Sequence, residues 1–328
     1  MIQIINSSTD PYFNMALEEY IIKSLPTEGN YFMLWQNQPA VIIGRNQNTL
    51  EEINSSYIDA QGIKVVRRMS GGGAVYHDDG NLNFTFVVDA NQDFANFDKF
   101  TRPVITALQR IRIEAENNGR NDLTITGRKF SGNAQFKYGN RLLHHGTILF
   151  NTNIEEMVQS LNPSTQKITS KGIKSVRSRV TNISEHLSTN VTLDDFKQIL
   201  TEAVLGQEST NDIHLLDCDD LSVITTLRNK KYTSYDWIFG NSPTFNIRKP
   251  GHFAWGNIDI RLEVKRGMIS ACKIFGDFFA LQDIAELETS LIGTRYQEED
   301  VRNRLKQIGI SNFLPASNED EITELLSR

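Results

Sequence analysis

The order of β-rich and helical stretches constrains the fold of this chain most. Short runs rich in aromatic and branched residues, bounded by Gly, Asn and Pro, predict strands at 2–5, 31–36, 40–44, 63–68 and 83–88. Two more strand runs, KFSGNAQFKY and RLLHHGTILF, follow in the middle of the chain. These runs and the intervening helices do not alternate as regular βαβ units. The pattern therefore predicts an α+β fold built on one sizeable sheet.

Three helices are predicted in this first part. Asp10 and Pro11 supply an N-cap and a proline at the first helical position, and apolar residues then recur every three or four positions, with Glu18 and Glu19 beside them. Residues 96–117 show a similar stripe, and 192–204 begin with Thr192 followed by acidic residues. These helices are expected to flank the sheet.

The composition changes near residues 241–251, NSPTFNIRKPG, where two prolines interrupt any periodic pattern. After it come two or three strands with a turn at 265–267, and then two or three short helices. We therefore expect a large domain at 1–242, a linker at 243–251 and a small α+β accessory domain at 252–328.

Charge and cysteine content exclude several classes of protein. The chain carries 34 basic and 40 acidic residues, a net charge of −6, which disfavours a general nucleic-acid binder. Its two cysteines, Cys218 and Cys272, form no CxxC pair, which argues against a disulfide framework or a structural zinc site. The N-terminal stretch resembles no secretion signal and no long apolar run is present, so a cytoplasmic location is expected.

The run SGGGAV at 70–75 is the strongest candidate for chemistry. Backbone N–H groups of a glycine-rich turn can converge on phosphate oxygens, and the preceding arginines can add charge-assisted contacts. The simpler interpretation is a flexible surface turn. The run is not a Walker A loop, since no Gly-Lys-Ser/Thr follows, and it is not a GxGxxG that opens a helix.

Two further segments are weaker candidates. Lys129, followed by Ser131 and Gly132, could pair with a phosphate and a developing oxyanion, although a lone lysine is usually a solvated surface group. His144 and His145 alternate on a strand, so one of them faces each side, and such a pair is more often structural than catalytic. Together the three segments describe a site that could hold an acyl phosphate.

The motifs RRMSGGGAVYHD, GRND, KFSGNA, HHGT and KGIKSVRSRVTN, in this order and at these spacings, closely resemble the lipoate–protein ligase A family. The resemblance runs from NMALEE at Asn14 through the C-terminal part of the chain. It implies a catalytic domain with mixed and antiparallel sheets and flanking helices, similar to biotin and lipoate ligases. It also implies that ATP activates free lipoate to lipoyl-AMP, and that the lipoyl group then passes to a lysine of an acceptor protein.

The family's functional residues map onto matching positions of this sequence. Lys129 matches the catalytic lysine that contacts the acyl carbonyl and the α-phosphate. Lipoate-binding positions are implied at Glu18, Trp35, Arg68, Gly71, Gly72, Gly73, Ala134 and His145. Positions near ATP or the adenylate are implied at Ser70, Val75, His77, Asn81, Asp122, Lys129 and Arg177, the last within the basic segment 171–179 that resembles the adenylate-binding loop.

The resemblance also implies partners and leaves alternatives. Mg²⁺ is expected to arrive with ATP, with no dedicated protein cage, and acceptors are expected to be lipoyl domains of 2-oxoacid dehydrogenase E2 subunits or the glycine cleavage H protein. Discrimination against octanoate is expected to be modest because both acids share an apolar chain. The alternatives are an acyltransferase that works through a cysteine thioester, which the positions of Cys218 and Cys272 disfavour, a biotin–protein ligase, and a non-catalytic lipoate-binding module.

Overall fold

The computed structural model describes residues 1–90, 95–118, 121–161, 178–206, 213–239 and 245–327. Within these residues the strands in chain order are β1 (Ile2–Ile5), β2 (Tyr31–Trp35), β3 (Ala40–Ile43), β4 (Lys64–Arg67), β5 (Val75–His77), β6 (Asn81–Asp89), β7 (Glu116–Asn118), β8 (Asp122–Ile125), β9 (Arg128–Tyr138), β10 (Arg141–Leu149), β11 (Ile213–Leu215), β12 (Ile247–Phe253), β13 (Gly256–Lys265) and β14 (Met268–Gly276).

The helices of the same residues are α1 (Pro11–Lys23), α2 (Thr49–Glu52), α3 (Ser55–Gln61), α4 (Phe97–Arg110), α5 (Ile154–Ser160), α6 (Leu193–Leu205), α7 (Cys218–Leu227), α8 (Tyr235–Ile238), α9 (Ile284–Leu291), α10 (Glu298–Ile308) and α11 (Glu319–Ser327). One π-helical turn, Arg228–Tyr232, joins α7 to the loop before α8, and short 3₁₀ turns lie at Ile183–His186 and Ile310–Asn312. None of these described helices is long and apolar enough to cross a membrane.

The largest sheet has, among the described residues, eight strands in the spatial order β11-β1-β2-β6-β10-β9-β8-β7. β1 runs parallel to β2 and β11, whereas the pairings from β2 through β6, β10, β9 and β8 to β7 are antiparallel. A smaller mixed sheet places β3 between β4 and β5. The expected α+β class, with mixed and antiparallel sheets, is confirmed.

Alternation along β2 distributes the core over both faces of the large sheet. Phe32 packs in the cluster that includes residues of α4 and α6, while Tyr31, Met33 and Trp35 point to the cluster formed with α1. Successive side chains of a strand point to opposite faces, so one strand serves both clusters. Helices therefore cover the two faces, as expected.

Helix α1 begins where the sequence predicts. The Asp10 carboxylate accepts a hydrogen bond from the backbone N–H of Tyr12, and Pro11 occupies the first turn. The predicted helix at 96–117 is too long, because α4 ends at Arg110 and Arg112 adopts a left-handed φ of 63° that an α-helix cannot contain. The chain then enters β7.

The C-terminal strands β12, β13 and β14 form an antiparallel sheet, and α9, α10 and α11 pack on it around their own apolar cluster. β12 begins at Ile247, so residues 247–251 of the expected linker belong to a strand. Pro250 is accommodated there because β12 is an edge strand, which does not need every N–H for pairing. The division into domains itself stays a prediction.

Candidate active site

A cavity opens between the small sheet and strands β6, β9 and β10 of the large sheet. Its volume, including the open mouth, is about 590 Å³. Met15, Trp35 and Ile42 give it an apolar wall, while Arg68, His77, Lys129 and His145 supply nitrogen atoms. The remaining lining residues are Gly72, Gly73, Ala74, Val75, Asn83, Asn121, Gly132, Asn133, Ala134, Gly146 and Thr147.

Arg68 organises the triple-glycine turn from inside. Its buried guanidinium donates to the carbonyl oxygens of Gly71 at 2.7 Å, Gly73 at 2.8 Å and Ile42 at 3.1 Å. Burial lowers the pKa of Arg68 to about 10, and the nearby charge of Glu18 opposes that shift. The side chain therefore fixes the shape of the turn, with its N–H groups engaged by the protein itself.

The three glycines differ in what surrounds them. Gly72 has a φ of 91°, which only glycine adopts readily, and together with Gly73 it lines the cavity. A Cβ at Gly71 would instead lie 2.2 Å from the carbonyl oxygen of Phe278, just after β14. Close approach of the C-terminal part of the chain thus accounts for the glycine at 71 without any ligand.

A directed chain of hydrogen bonds runs behind the cavity from Arg68 to Glu18. The Arg68 Nε–H donates to Ser70 Oγ at 3.0 Å, and Ser70 Oγ lies 2.6 Å from His145 Nε2. His145 Nδ1 lies 2.9 and 3.0 Å from the two carboxylate oxygens of Glu18. Because a guanidinium can only donate and a carboxylate only accept, Arg68 donates to the hydroxyl and Nδ1–H of His145 donates to Glu18. A buried cation and a buried anion thus compensate each other.

The same carboxylate positions the aromatic wall. Thr85 donates to Glu18 Oε1 at 2.6 Å and accepts from Trp35 Nε1 at 2.8 Å. Glu18 does not line the cavity itself. Its buried carboxylate holds two side chains that do, His145 directly and Trp35 through Thr85, and these hydrogen bonds satisfy an acid on a helix that faces the core.

Lys129 extends from β9 into the cavity, where its ammonium lies 2.7 Å from Asp122 Oδ1. A Cβ at Gly132 would approach Lys129 Nζ to 2.9 Å, so Gly132 leaves room for the lysine side chain. The backbone of Lys129 is fixed independently: its N–H donates to Arg179 O at 2.8 Å, and its carbonyl accepts from Thr181 N at 2.9 Å. The last residue of the basic segment and the two residues after it thus pair with the strand at this lysine.

His77 and Asn81 each have a buried atom without a partner among the described residues. His77 Nε2 has no acceptor, and Asn81 Oδ1 has no donor, although the Asn81 amide donates to Asn83 Oδ1 at 3.0 Å. Burial, assisted by Arg68 and His145, lowers the pKa of His77 to about 3, so its ring is neutral at physiological pH. Unpaired buried polar atoms beside a cavity indicate positions where a ligand can bind.

Most residues singled out from the sequence converge on this cavity. Nine line it: Trp35, Arg68, Gly72, Gly73, Val75, His77, Lys129, Ala134 and His145. Glu18, Ser70, Asn81 and Asp122 support lining residues from behind or beside, and Gly71 contacts Phe278. Arg177 and most of the predicted loop 171–179 lie outside the described residues. Their individual roles toward a ligand stay predictions.

Sequence reasoning missed four polar lining residues, Asn83, Asn121, Asn133 and Thr147. A signal was present for each of them: Asn83 stands two residues from Asn81 on the same face of β6, and the other three lie within the motifs GRND, KFSGNA and HHGT. Asn133 donates to Asn121 O at 3.1 Å and so ties β9 to the residue before β8.

Neither cysteine belongs to the cavity. Cys218 is exposed at the start of α7, and Cys272 is buried in the C-terminal sheet, where burial raises the pKa of its thiol. No cluster of three His, Cys, Asp or Glu side chains suited to a metal ion occurs in the part of the chain that the structure describes.

The fold and the cavity define an α+β enzyme whose site combines an apolar wall with a lysine and a fixed glycine turn. Residues 10–205 match the family model of the lipoyl protein ligase A/B catalytic domain, and 242–326 match that of the bacterial lipoate protein ligase C-terminus. "Lipoate--protein ligase 1" of Staphylococcus aureus is 43% identical over 323 residues, which is 98% of each chain.

Solved structures that share this fold include one from Plasmodium falciparum and one from Thermoplasma acidophilum. The Plasmodium falciparum protein LipL1, in complex with lipoate, has a TM-score of 0.82 at 27% identity over 98% of both chains. A bi-partite lipoate protein ligase from Thermoplasma acidophilum, studied with its E2 lipoyl domain, has a TM-score of 0.67 at 25% identity, over 75% of this chain and 98% of its own. The chain belongs to the lipoate–protein ligase family.

Proposed function

We propose that this ligase uses ATP to activate lipoate as lipoyl-AMP in the described cavity and then acylates a lysine of an acceptor protein. The observation that carries the proposal is the position of Lys129, whose ammonium lies in the same cavity as the apolar wall of Met15, Trp35 and Ile42. An elongated acid whose carboxylate must react requires both features in one site.

In the first half-reaction, a carboxylate oxygen of lipoate attacks the α-phosphorus of ATP. The bond between that phosphorus and the oxygen bridging to the β-phosphate breaks, and pyrophosphate leaves. Negative charge grows on the phosphoryl oxygens, where the Lys129 ammonium would stabilise it. Asp122, 2.7 Å from that ammonium, orients it before the phosphate arrives. Mg²⁺ enters as part of the ATP substrate.

In the second half-reaction, the neutral amine of the acceptor lysine attacks the acyl carbonyl, AMP leaves and a proton is lost, forming an amide. Charge now develops on the carbonyl oxygen, and the same ammonium can stabilise it. No enzyme-bound thioester is needed, which agrees with the fact that neither cysteine lines the cavity. This disfavours the cysteine acyltransferase.

The remaining assignments follow from the lining. Trp35, Ala134, His145 and the glycines at 72 and 73 would contact the lipoyl chain, and Val75 and His77 would contact the adenylate. Asn81 does not line the cavity, and its proposed contact with the adenylate is based on its buried Oδ1, which has no donor among the described residues. Burial of the acyl chain contributes about 0.8 kcal/mol per methylene, which octanoate shares. The likeness to a ligase studied with an E2 lipoyl domain supports lipoyl domains as acceptors, and the glycine cleavage H protein is proposed alongside them.

Pyrophosphate exchange and acceptor mass spectrometry test the two half-reactions separately. The wild-type enzyme should exchange labelled pyrophosphate into ATP only when lipoate is present, and with an apo-acceptor it should add one lipoyl group. Lys129→Ala should reduce exchange by about 10²- to 10³-fold, the usual cost of removing such a donor. Lys137→Ala, an exposed lysine on the same strand, is the control. Normal exchange by Lys129→Ala would refute the assigned role.

A further inference from the structure

Three buried polar side chains connect the start of α1 to the cavity. The Asn14 amide nitrogen lies 2.8 Å from Asn37 Oδ1, and the Asn37 amide nitrogen lies 3.0 Å from His77 Nδ1. All three side chains are at most 3% exposed. Only His77 reaches the cavity, so the two asparagines can affect a ligand only through it.

The orientation of the Asn14 amide is determined by backbone groups. Its nitrogen also lies 3.0 Å from the carbonyl oxygens of Ser8 and of Gln36, which can only accept hydrogen bonds. Its oxygen accepts from Asn6 Nδ2 at 2.8 Å. The reverse orientation would set an oxygen against two carbonyl oxygens, so the nitrogen of Asn14 must face Asn37.

That orientation propagates to the histidine. Asn37 presents its oxygen to Asn14, and its nitrogen therefore faces His77 Nδ1. A donor at this position requires a lone pair on Nδ1, so the single ring proton must be on Nε2. If both ring nitrogens of His77 were protonated, Nδ1–H and the amide N–H of Asn37 would point at each other across 3.0 Å. The orientation of the two asparagines therefore excludes the doubly protonated ring.

We propose that Asn14 and Asn37 are positioning residues that hold His77 as the Nε2–H tautomer, so that a neutral donor faces the substrate in the cavity. His77 lines the cavity, its Nδ1 edge is taken by Asn37, and Nε2 has no acceptor among the described residues. The inference rests on the proposed function, which supplies the substrate.

The acceptor suited to this donor is an oxygen at the junction of the acyl group and the phosphate. In addition to burial, the Arg68 guanidinium lies near enough to His77 to lower its pKa, so an anionic oxygen entering here meets positive potential and a neutral N–H together. This oxygen could come from the lipoate carboxylate or from the α-phosphate of the nucleotide. Separate ligand additions distinguish the two sources.

The tautomer can be read directly in the wild-type enzyme. With ¹⁵N-labelled histidine, two-bond ¹H–¹⁵N correlation separates Nε2–H, Nδ1–H and cationic rings, and a His77→Gln sample assigns the signal among the six histidines. We expect Nε2–H at neutral pH, and a shift of the Nε2 signal on adding lipoate alone, ATP alone or lipoyl-sulfamoyl-adenosine. An Nδ1–H or cationic ring, or no shift with any of the three, would overturn the inference.

Kinetics test the positioning role. Asn37→Leu keeps the volume of the side chain but removes the donor, and should lower kcat/KM for lipoate-dependent pyrophosphate exchange by about tenfold, the value of one hydrogen bond. In His77→Gln the side-chain amide offers a donor that needs no tautomer. The Asn37→Leu effect should therefore shrink in that background. An equal effect in both backgrounds would mean that Asn37 serves only packing.

The chain offers a matched control. Gln135 donates to Nδ1 of His144 at 3.1 Å in the same way, but His144 stacks on Phe100 in the core and does not line the cavity. In the described part of the chain, His144 reaches the lining only through the 3.3 Å contact of its Nε2 with Asn133 Oδ1, so Gln135→Leu should lower kcat/KM for exchange much less than Asn37→Leu does. Failure of wild-type exchange would refute the proposed function, whereas the tautomer spectrum decides the state of His77 independently of that outcome.

Discussion

Replacing Gly71 by alanine should loosen the C-terminal part of the chain from the glycine turn. The added Cβ would lie 2.2 Å from the Phe278 carbonyl oxygen, and ordinary contact begins near 3.4 Å, so the two backbones must separate by about 1.2 Å. Neither partner is a flexible side-chain end. The strain must therefore move the turn or the C-terminal part.

The C-terminal part makes few contacts with the rest of the chain near Gly71, so these contacts can break when the two backbones separate. Among the described residues, Gly276 N donates to Asn46 O at 2.7 Å, Phe97 and Phe279 pack with ring centroids 5.7 Å apart, and the partly exposed ion pairs Arg45–Asp283 at 3.3 Å and Arg261–Glu51 at 2.6 Å each add little. One hydrogen bond and one aromatic pair contribute about 1 kcal/mol each. Losing these contacts would therefore cost about as much free energy as overpacking does when the structure must shift, ~1–3 kcal/mol.

We expect Gly71→Ala to lower the free energy of unfolding by about 1–3 kcal/mol, a drop in Tm of roughly 2–10 °C. Limited proteolysis should cut faster between the C-terminal sheet and the rest of the chain. Gly73→Ala is the comparison, because its Cβ would meet no atom within 4 Å. Equal melting and equal proteolysis of the two variants would refute the close approach at Gly71.

Three further outcomes are expected. Gly132→Ala should leave Tm nearly unchanged, because the close contact of the new Cβ, at 2.9 Å, is with the flexible end of Lys129. It should impair pyrophosphate exchange, because that ammonium is displaced. Unimpaired exchange would contradict the role of Gly132 in making room for Lys129. Cys218→Ser with Cys272→Ser should retain lipoylation of an acceptor in a protein that remains folded, since neither thiol lies at the cavity, and a folded but inactive double variant would restore the thioester route. The pKa of His77 is about 3 in the folded protein and ~6.5 in the unfolded chain, so the folded protein binds fewer protons. The contribution of this histidine to the free energy of unfolding is therefore highest above pH 6.5, and it should fall by about 2 kcal/mol between pH 7 and 5. Urea unfolding of His77→Gln should show a correspondingly smaller loss over that interval.

The sequence predicts elements well where the controlling residues are neighbours. Asp10 and Pro11 define the start of α1 because cap and helix are adjacent, and Thr192 caps α6 in the same way. The end of α4 could not be predicted, because the apolar stripe continues past it and Arg112, a residue with no special turn preference, adopts the left-handed conformation.

In the candidate site, too, the features set by sequence neighbours could be predicted and those set by distant residues could not. The glycine turn, Lys129 and His145 are visible as motifs, but the direction of each proton is set by groups far apart in the chain. Asn14, Asn37 and His77 meet only after α1, β2 and β5 have packed, and nothing in their sequence neighbourhoods marks the two asparagines as partners of a histidine. Gly71 is a similar case, since its neighbour Phe278 is more than two hundred positions away in the sequence.

The contact at Gly71 also limits how the chain can be recombined. In this chain the Phe278 carbonyl oxygen leaves no room for a Cβ at residue 71, so a hybrid enzyme should take residue 71 and the backbone around residue 278 from the same parent. Substitutions that look conservative on either side alone, such as alanine at 71, should be tolerated only with a compensating change on the other. Crossover points are therefore better chosen so that both sides of this contact come from one parent.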